Sequence, residues 1–216
     1  GALLQGGSGQ TLTAYGNLAI AAGTGSDAEL RQTSGAAQNL SVGGSISVTN
    51  AAGGTAGIVS GGNQNISAAD ALVMVSSPMA GARAEISANG TQTINLLGGA
   101  GANDKASLSV LNHSAANGSL AQVKATGNQT ISMPFAKAGI MQVGDTASLG
   151  AALVASDADQ TLVVGELFVQ GGASAAATSK ILAGTATTGT MNISALTGSI
   201  QVLGGAAGSA AIDPLY

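Results

Sequence analysis

The side chains that could carry out acid–base or metal chemistry are few in this 216-residue chain, and they are widely spaced. One chemistry that carboxylates can support is the cleavage of polysaccharides. It needs a pair of carboxylates acting as acid and base, or a calcium site beside a basic residue. Only Asp157 and Asp159 lie close together in sequence, in SDADQ. Aspartate is common in turns, so we interpret this pair as a solvated corner. The ten carboxylates are Asp27, Glu29, Asp70, Glu85, Asp104, Asp145, Asp157, Asp159, Glu166 and Asp213.

His113, in LNHSAANGS, is the only histidine, and the chain has no cysteine. A metal site built on histidine or thiolate ligands therefore has too few ligands, and a Ser-His-Asp triad has no recognisable nucleophile setting. The segment GGAGAND at 98–104 resembles part of a calcium-binding nonapeptide. It occurs once and carries Asn103, whereas such sites need stacked copies. We predict no catalytic residue, no metal site and no cofactor, and hence no enzyme.

One polar pattern is enriched, because seven of the twelve asparagines begin an N-x-S/T triplet. Repetition of Asn at corners and of Ser or Thr on outward strand positions generates this triplet without any function. The alternative interpretation is that they are glycan acceptors on a secreted surface. The possible acceptors are Asn39, Asn65, Asn89, Asn112, Asn117, Asn128 and Asn192.

The composition limits the classes of partner. Only 7% of residues are charged, against about 25% in a typical soluble domain, so Ser, Thr, Asn, Gln, Gly and Ala must cover the exterior. The net charge is −4 and the six basic residues are dispersed, which argues against nucleic acid and anionic membranes as partners. No apolar run approaches the ~18 residues that span a bilayer. We expect a chain that is not membrane-embedded, and an excerpt of something longer.

A repeat explains most of the remaining pattern. The stretch GTQTI at 90–94 returns as GNQTI at 127–131, and the Gln recurs at intervals of 26 to 37 residues. A Leu or Ile follows two positions after it in each of seven copies, the last of which has Met191 in place of Gln. The register glutamines are Gln10, Gln38, Gln64, Gln92, Gln129 and Gln160.

Each copy contains two further short alternating runs, such as Ile46-Ser-Val48, separated by Gly, Ser and Asn clusters. Alternation over three to five residues predicts strands and excludes amphipathic helices. The third run of each copy centres on Leu30, Ile58, Ile86, Val123, Leu153, Ile181 and Ile212.

Three strands per copy predict an all-β fold, a right-handed parallel β-helix of about seven rungs that forms one domain over 1–216. An antiparallel sandwich is the alternative, but it leaves the recurring residue order unexplained. The segment 98–106 is then a corner insertion. The Gln and the aliphatic residue after it share one strand face, so we predict that the six glutamines stack inside the coil as an amide ladder. Neighbouring rungs, or copies of the chain stacked end to end, are expected to cover the two ends.

The pattern G-x-Q-T-I, then G-x-I-x-V-x-G-G, then A-x-I with a Gly turn, resembles the β-helical shafts of bacterial exoproteins of the filamentous haemagglutinin and high-molecular-weight adhesin type. The resemblance covers the whole chain. It implies export to the cell surface or medium and a role in adhesion, biofilm formation or as a stalk, with host-cell, matrix or glycan surfaces as partners. It also implies that some N-x-S/T sites carry glycans. Parallel β-helices include polysaccharide lyases and hydrolases too, so such an enzyme is the alternative function.

Overall fold

A computed structural model describes residues 1–50, 53–76, 81–98, 106–114, 119–133, 139–186 and 188–214. These residues form 22 strands and no helix, so none of them belongs to a helix that could cross a membrane. The strands assemble into three parallel sheets, and the chain visits the sheets in the same order in each turn. The predicted β-solenoid of about seven turns is confirmed.

Sheet A has eight strands: β1 (Ala2–Gly6), β4 (Ala28–Gln32), β7 (Gly54–Ser60), β10 (Ala82–Ala88), β13 (Leu120–Ala125), β16 (Ala151–Ser156), β19 (Thr178–Ala183) and β22 (Ser209–Pro214). Sheet B has seven: β2 (Gln10–Ala14), β5 (Gln38–Val42), β8 (Gln64–Ala68), β11 (Gln92–Leu96), β14 (Gln129–Ser132), β17 (Gln160–Val164) and β20 (Met191–Ala195). Sheet C also has seven: β3 (Leu18–Ala22), β6 (Ile46–Asn50), β9 (Ala71–Ser76), β12 (Ser107–Asn112), β15 (Ile140–Val143), β18 (Glu166–Gln170) and β21 (Ile200–Leu203).

Like residues stack on like residues in the interior. In sheet B, Ile94 pairs with Ile66 on one side and Ile131 on the other, and all three side chains are at most 1% exposed. Alternation places every second residue of a strand in this interior, and each fully buried Leu or Ile contributes about 1.5–3 kcal/mol. The core is therefore a continuous column of aliphatic side chains that crosses every turn.

The register of sheet A corrects one predicted strand centre. Val154, and not Leu153, stacks between Val123 and Ile181, while Leu153 pairs with Gln122 and is only half-buried. The sequence offers two adjacent aliphatic residues here, and alternation alone does not choose between them. Val154 lies six residues before Gln160, the same spacing that separates Val123 from Gln129, so the spacing contained the information.

Corner residues connect successive turns. The side-chain Oδ1 of Asn63 accepts a hydrogen bond of 3.0 Å from the backbone N–H of Thr91, one turn later. This contact satisfies a donor that has no partner within its own turn. The same contact joins Asn17 to Ser45 at 2.9 Å and Asp27 to Thr55 at 2.7 Å.

The first and last turns expose core positions. Leu4 is 58% exposed, although its stacking partner Leu30 is only 3% exposed. Val202 is 46% exposed, whereas Val169 beneath it is fully buried. At the amino-terminal end the open interior is a depression of about 520 Å³ lined by side chains that include Leu4.

Candidate functional site

The register glutamines form a hydrogen-bonded ladder inside the coil. Each is the first residue of a sheet B strand, and from Gln38 onward the amide Nε2 donates to Oε1 of the glutamine one turn earlier. All except the half-buried Gln10 are at most 1% exposed, and buried amides require such partners. The five bonds join Gln38 to Gln10 at 2.6 Å, Gln64 to Gln38 at 2.8 Å, and Gln92 to Gln64, Gln129 to Gln92 and Gln160 to Gln129 at 2.7 Å.

The same amides also bind the adjoining strand of sheet A. Nε2 of Gln64 lies 3.2 Å from the carbonyl oxygen of Ile58, and Nε2 of Gln38 lies 3.3 Å from that of Leu30. Gln38, Gln64 and Gln129 therefore fix the corner between sheets A and B of their own turn, besides joining two turns.

The ladder ends at Gln160. Its Oε1 is buried and has no hydrogen-bond partner among the described residues, because the residue stacked on it is Met191. A thioether has no hydrogen to donate. An unsatisfied buried acceptor costs about 1–3 kcal/mol, so this is a weak point in the last turn.

We therefore expect Met191→Gln to raise the free energy of unfolding by about 1 kcal/mol, since the new amide would donate to Gln160 Oε1. Urea denaturation followed by circular dichroism measures this change. Met191→Glu is the matched control, because an ionised carboxylate has a similar shape but no donor. A Glu variant as stable as the Gln variant would contradict the explanation.

The possible glycan acceptors occupy three kinds of position. Asn39, Asn65 and Asn192 point outward from sheet B strands and are exposed. Asn89 and Asn128 are exposed at corners. On β5, β8 and β20 the Asn and the Ser of the triplet both face outward, as repetition of outward polar residues predicts.

Asn112 differs from these, and Asn117 lies outside the described residues. The Asn112 side chain is fully buried, and its Nδ2 donates to the carbonyl oxygen of Ala151 at 2.9 Å. Its Oδ1 accepts from the backbone N–H of Ser114 at 3.0 Å. The folded coil leaves no room for a glycan on this amide, so Asn112 is a structural corner residue.

His113 has a carboxylate partner that sequence reasoning did not identify. Its Nε2 lies 3.0 Å from Oδ2 of Asp145, in the next turn of the coil. Oδ1 of Asp145 accepts a 2.9 Å hydrogen bond from the hydroxyl of Ser148. The serine thus binds the carboxylate and not the imidazole, whereas an activated nucleophile needs a hydrogen bond to its base.

Asp157 and Asp159 each bind the structure around them. Asp157 lies 3.2 Å from the Lys124 ammonium and accepts a hydrogen bond from the Thr185 hydroxyl. Asp159 accepts from the Thr190 backbone N–H at 2.8 Å and from the Thr190 hydroxyl at 2.9 Å. These bonds, the backbone one above all, hold the pKa of Asp159 below its ordinary value. Both carboxylates serve as corner contacts between turns.

The fold brings one further carboxylate pair onto a single face. Glu29 and Glu85 stack in one column of sheet A, with only Gly57 between them, so their Cα atoms are about 10 Å apart. Each has a cationic neighbour: Arg31 donates twice to Glu29, at 2.7 and 2.9 Å, and Arg83 lies 3.5 Å from Glu85. Sequence reasoning missed this pair because two whole turns separate its members.

In the described ranges, no group of three or more His, Cys, Asp or Glu side chains comes close enough together to hold a metal ion. The corner insertion 98–106 lies mainly outside these ranges, as residues 99–105 are not described. Its flanking strands β11 and β12 are paired in register with their neighbours.

The three outer faces differ in chemistry. Sheet A carries charged residues, most of them in ion pairs, whereas sheet B carries hydroxyls and amides. Sheet C turns apolar side chains outward in its middle turns: Val73, Val75, Leu111, Ile140 and Phe168.

Comparison of the chain with protein-family models, with curated proteins and with solved structures gives no match.

Proposed function

We propose that the chain is a shaft segment of a bacterial surface adhesin or extracellular filament, located at the cell surface or in the medium, and is not an enzyme. The observation that carries this proposal is the continuity of the stack. The aliphatic column and the glutamine ladder pass through turn after turn. The resemblance of the repeat to filamentous haemagglutinin shafts supports the same proposal.

A shaft must resist bending and proteolysis, and this architecture favours resistance to both. Each inner strand has a hydrogen-bonded neighbour on either side, and each turn stabilises only the turns beside it. Stability then grows with the number of turns. The exposed core positions of the first and last turns favour partners that continue the stack, either further turns of one polypeptide or another copy of the chain.

A polysaccharide lyase or hydrolase is the second candidate, and the column of Glu29 and Glu85 is the observation that favours it. Inverting glycosidases hold two carboxylates about 6.5–9.5 Å apart. Each carboxylate is engaged by an arginine of the chain, whereas the acid and base of a glycosidase must reach the scissile bond. We therefore rank this candidate second. Release of reducing or unsaturated ends from neutral or acidic glycans, lost in Glu85→Gln, would reverse the ranking.

Surface display tests the adhesive proposal. We expect bacteria without adhesins of their own to gain attachment to cultured cells, to matrix-coated plastic or to one another when they display residues 1–216 on an inert anchor. The control strain displays the anchor alone. The proposal fails if the two strains attach equally to every surface.

A further inference from the structure

A shallow groove of about 270 Å³ crosses the outer face of sheet B over its first four strands. Two columns of outward side chains form its walls, one beginning at Thr11 and the other containing Ser41. The backbone of the inward-pointing residues between the columns, such as Leu40, forms its floor. Because the columns cross the strands, the groove runs along the axis of the coil for about 14 Å, three strand spacings.

The polar groups of this groove are mostly without partners. Asn65 Nδ2 donates to Asn39 Oδ1 at 2.8 Å, which leaves the Asn39 amide donors and the Asn65 oxygen available to a ligand. The side chains of Thr93 and Asn95 make no hydrogen bond to any described residue. Hydroxyls and amides both donate and accept hydrogen bonds, so the groove offers donors and acceptors at each turn.

The chemistry of the other faces shows why this one is distinct. On sheet A, the outward charges of Arg31 and Lys124 are already bound to carboxylates of the chain. On sheet C, the outward hydroxyls of Ser47 and Thr49 are followed in the next turn by Val73 and Val75, which offer no hydrogen bond. The sheet B groove combines free donors and acceptors with the absence of any charged or aromatic residue among those that line it.

We propose that this groove binds a linear, neutral polysaccharide that lies parallel to the coil axis. A neutral sugar chain presents hydroxyls along its length and needs no counter-charge, which matches the uncharged walls. A charged polymer would gain no ion pair there, because no lining residue is ionisable. This inference rests on the proposed adhesive function and assigns its contact to a strand face instead of a corner insertion.

Repetition strengthens a contact that is weak at each turn. A hydrogen bond to a sugar replaces one to water, so it contributes only about 0.5–1.5 kcal/mol. The lining residues include no aromatic ring on which a sugar could stack. The walls repeat every ~4.8 Å, so an extended polymer meets equivalent groups on successive turns. Binding should therefore increase with the length of the sugar chain.

Co-sedimentation with insoluble cellulose and chitin, and affinity electrophoresis in soluble xylan, test the inference. The anionic polymers polygalacturonate and heparin serve as comparisons. We expect the wild-type chain to bind at least one neutral polymer, equally at low and high salt, and to bind neither anionic polymer. The double variant Ser41→Ala with Thr93→Val should weaken that binding at least about fivefold, the effect of losing two hydrogen bonds.

Ser47→Ala with Thr49→Val is the matched control, because it makes the same changes on the outer face of sheet C. It should leave binding unchanged. No binding to any neutral polymer, preference for an anionic polymer, or equal loss in both double variants would overturn the inference. The surface-display assay separates failure of this inference from failure of the proposed function. If bacteria that display the groove variant still attach, and excess neutral polymer does not block attachment, the groove is rejected while the adhesive function stands.

Discussion

Replacing Gln92 by Leu is expected to lower the free energy of unfolding by about 2–4 kcal/mol. Gln92 is 1% exposed and lies in the middle of the ladder, where it donates to Gln64 and accepts from Gln129 at 2.7 Å each. Leucine fills a similar volume but leaves Gln64 Oε1 as a buried acceptor without a partner, which costs about 1–3 kcal/mol. It also removes the short bond from Gln129, whose Nε2 keeps only the carbonyl oxygen of Val123 at 3.4 Å, at a further cost of about 1 kcal/mol. Equilibrium urea denaturation measures the change.

Gln10→Leu is the control at the edge of the same ladder. Gln10 is only half-buried, and its loss affects one glutamine, Gln38, whose Nε2 keeps the carbonyl oxygen of Leu30 as an acceptor. We expect a loss at least about 1 kcal/mol smaller than for Gln92→Leu. Equal losses would contradict the ladder hydrogen bonds as the source of the difference.

The second large effect is expected from Gly62→Ala, at the corner between β7 and β8. A Cβ atom on Gly62 would lie 2.2 Å from the carbonyl oxygen of Gly35 and 2.5 Å from that of Ala36, in the corner one turn earlier. Backbone atoms cannot move aside as a side chain can, so the two corners must separate. Overpacking of this kind costs about 1–3 kcal/mol, and thermal denaturation measures it.

Gly35→Ala is the matched control, because a Cβ atom there would meet nothing within 4 Å. It lies in the equivalent corner of the preceding turn and makes the same chemical change. We expect its melting temperature to stay close to that of the wild type. A large loss for Gly35→Ala would show that these corners require glycine for a reason other than close approach.

Both variants also bear on the proposed function. In a solenoid each turn contacts only its neighbours, so a local defect weakens two junctions and leaves distant turns paired. A shaft with Gln92→Leu should therefore become sensitive to protease near its middle before its ends. The proposed adhesive groove spans β2, β5, β8 and β11 and would lose its regular spacing together with that junction.

The repeat predicted the architecture because the stacking of equivalent residues governs both the sequence pattern and the fold. Stacked parallel strands place equivalent residues above one another, so recurrence of Gln followed by an aliphatic residue fixes strands, register and ladder together. Leu4 pairs with Leu30 and Ile181 with Ile212, as their positions in the repeat indicate. Where two aliphatic residues are adjacent, at Leu153 and Val154, the same rule needs the spacing to Gln160 to choose between them.

The sequence by itself determined the all-β class, because strand alternation is a local property. It also determined the three strands per turn and the six stacked glutamines, because recurrence of one residue order places equivalent residues above one another. Only the tertiary structure decided which corner residues meet. It pairs His113 with Asp145, places Glu29 and Glu85 in one column, and buries Asn112. Such contacts depend on the length of each intervening turn and on the path of each corner. The free polar groove of sheet B emerged for the same reason, since four separate turns must be superimposed before its walls exist.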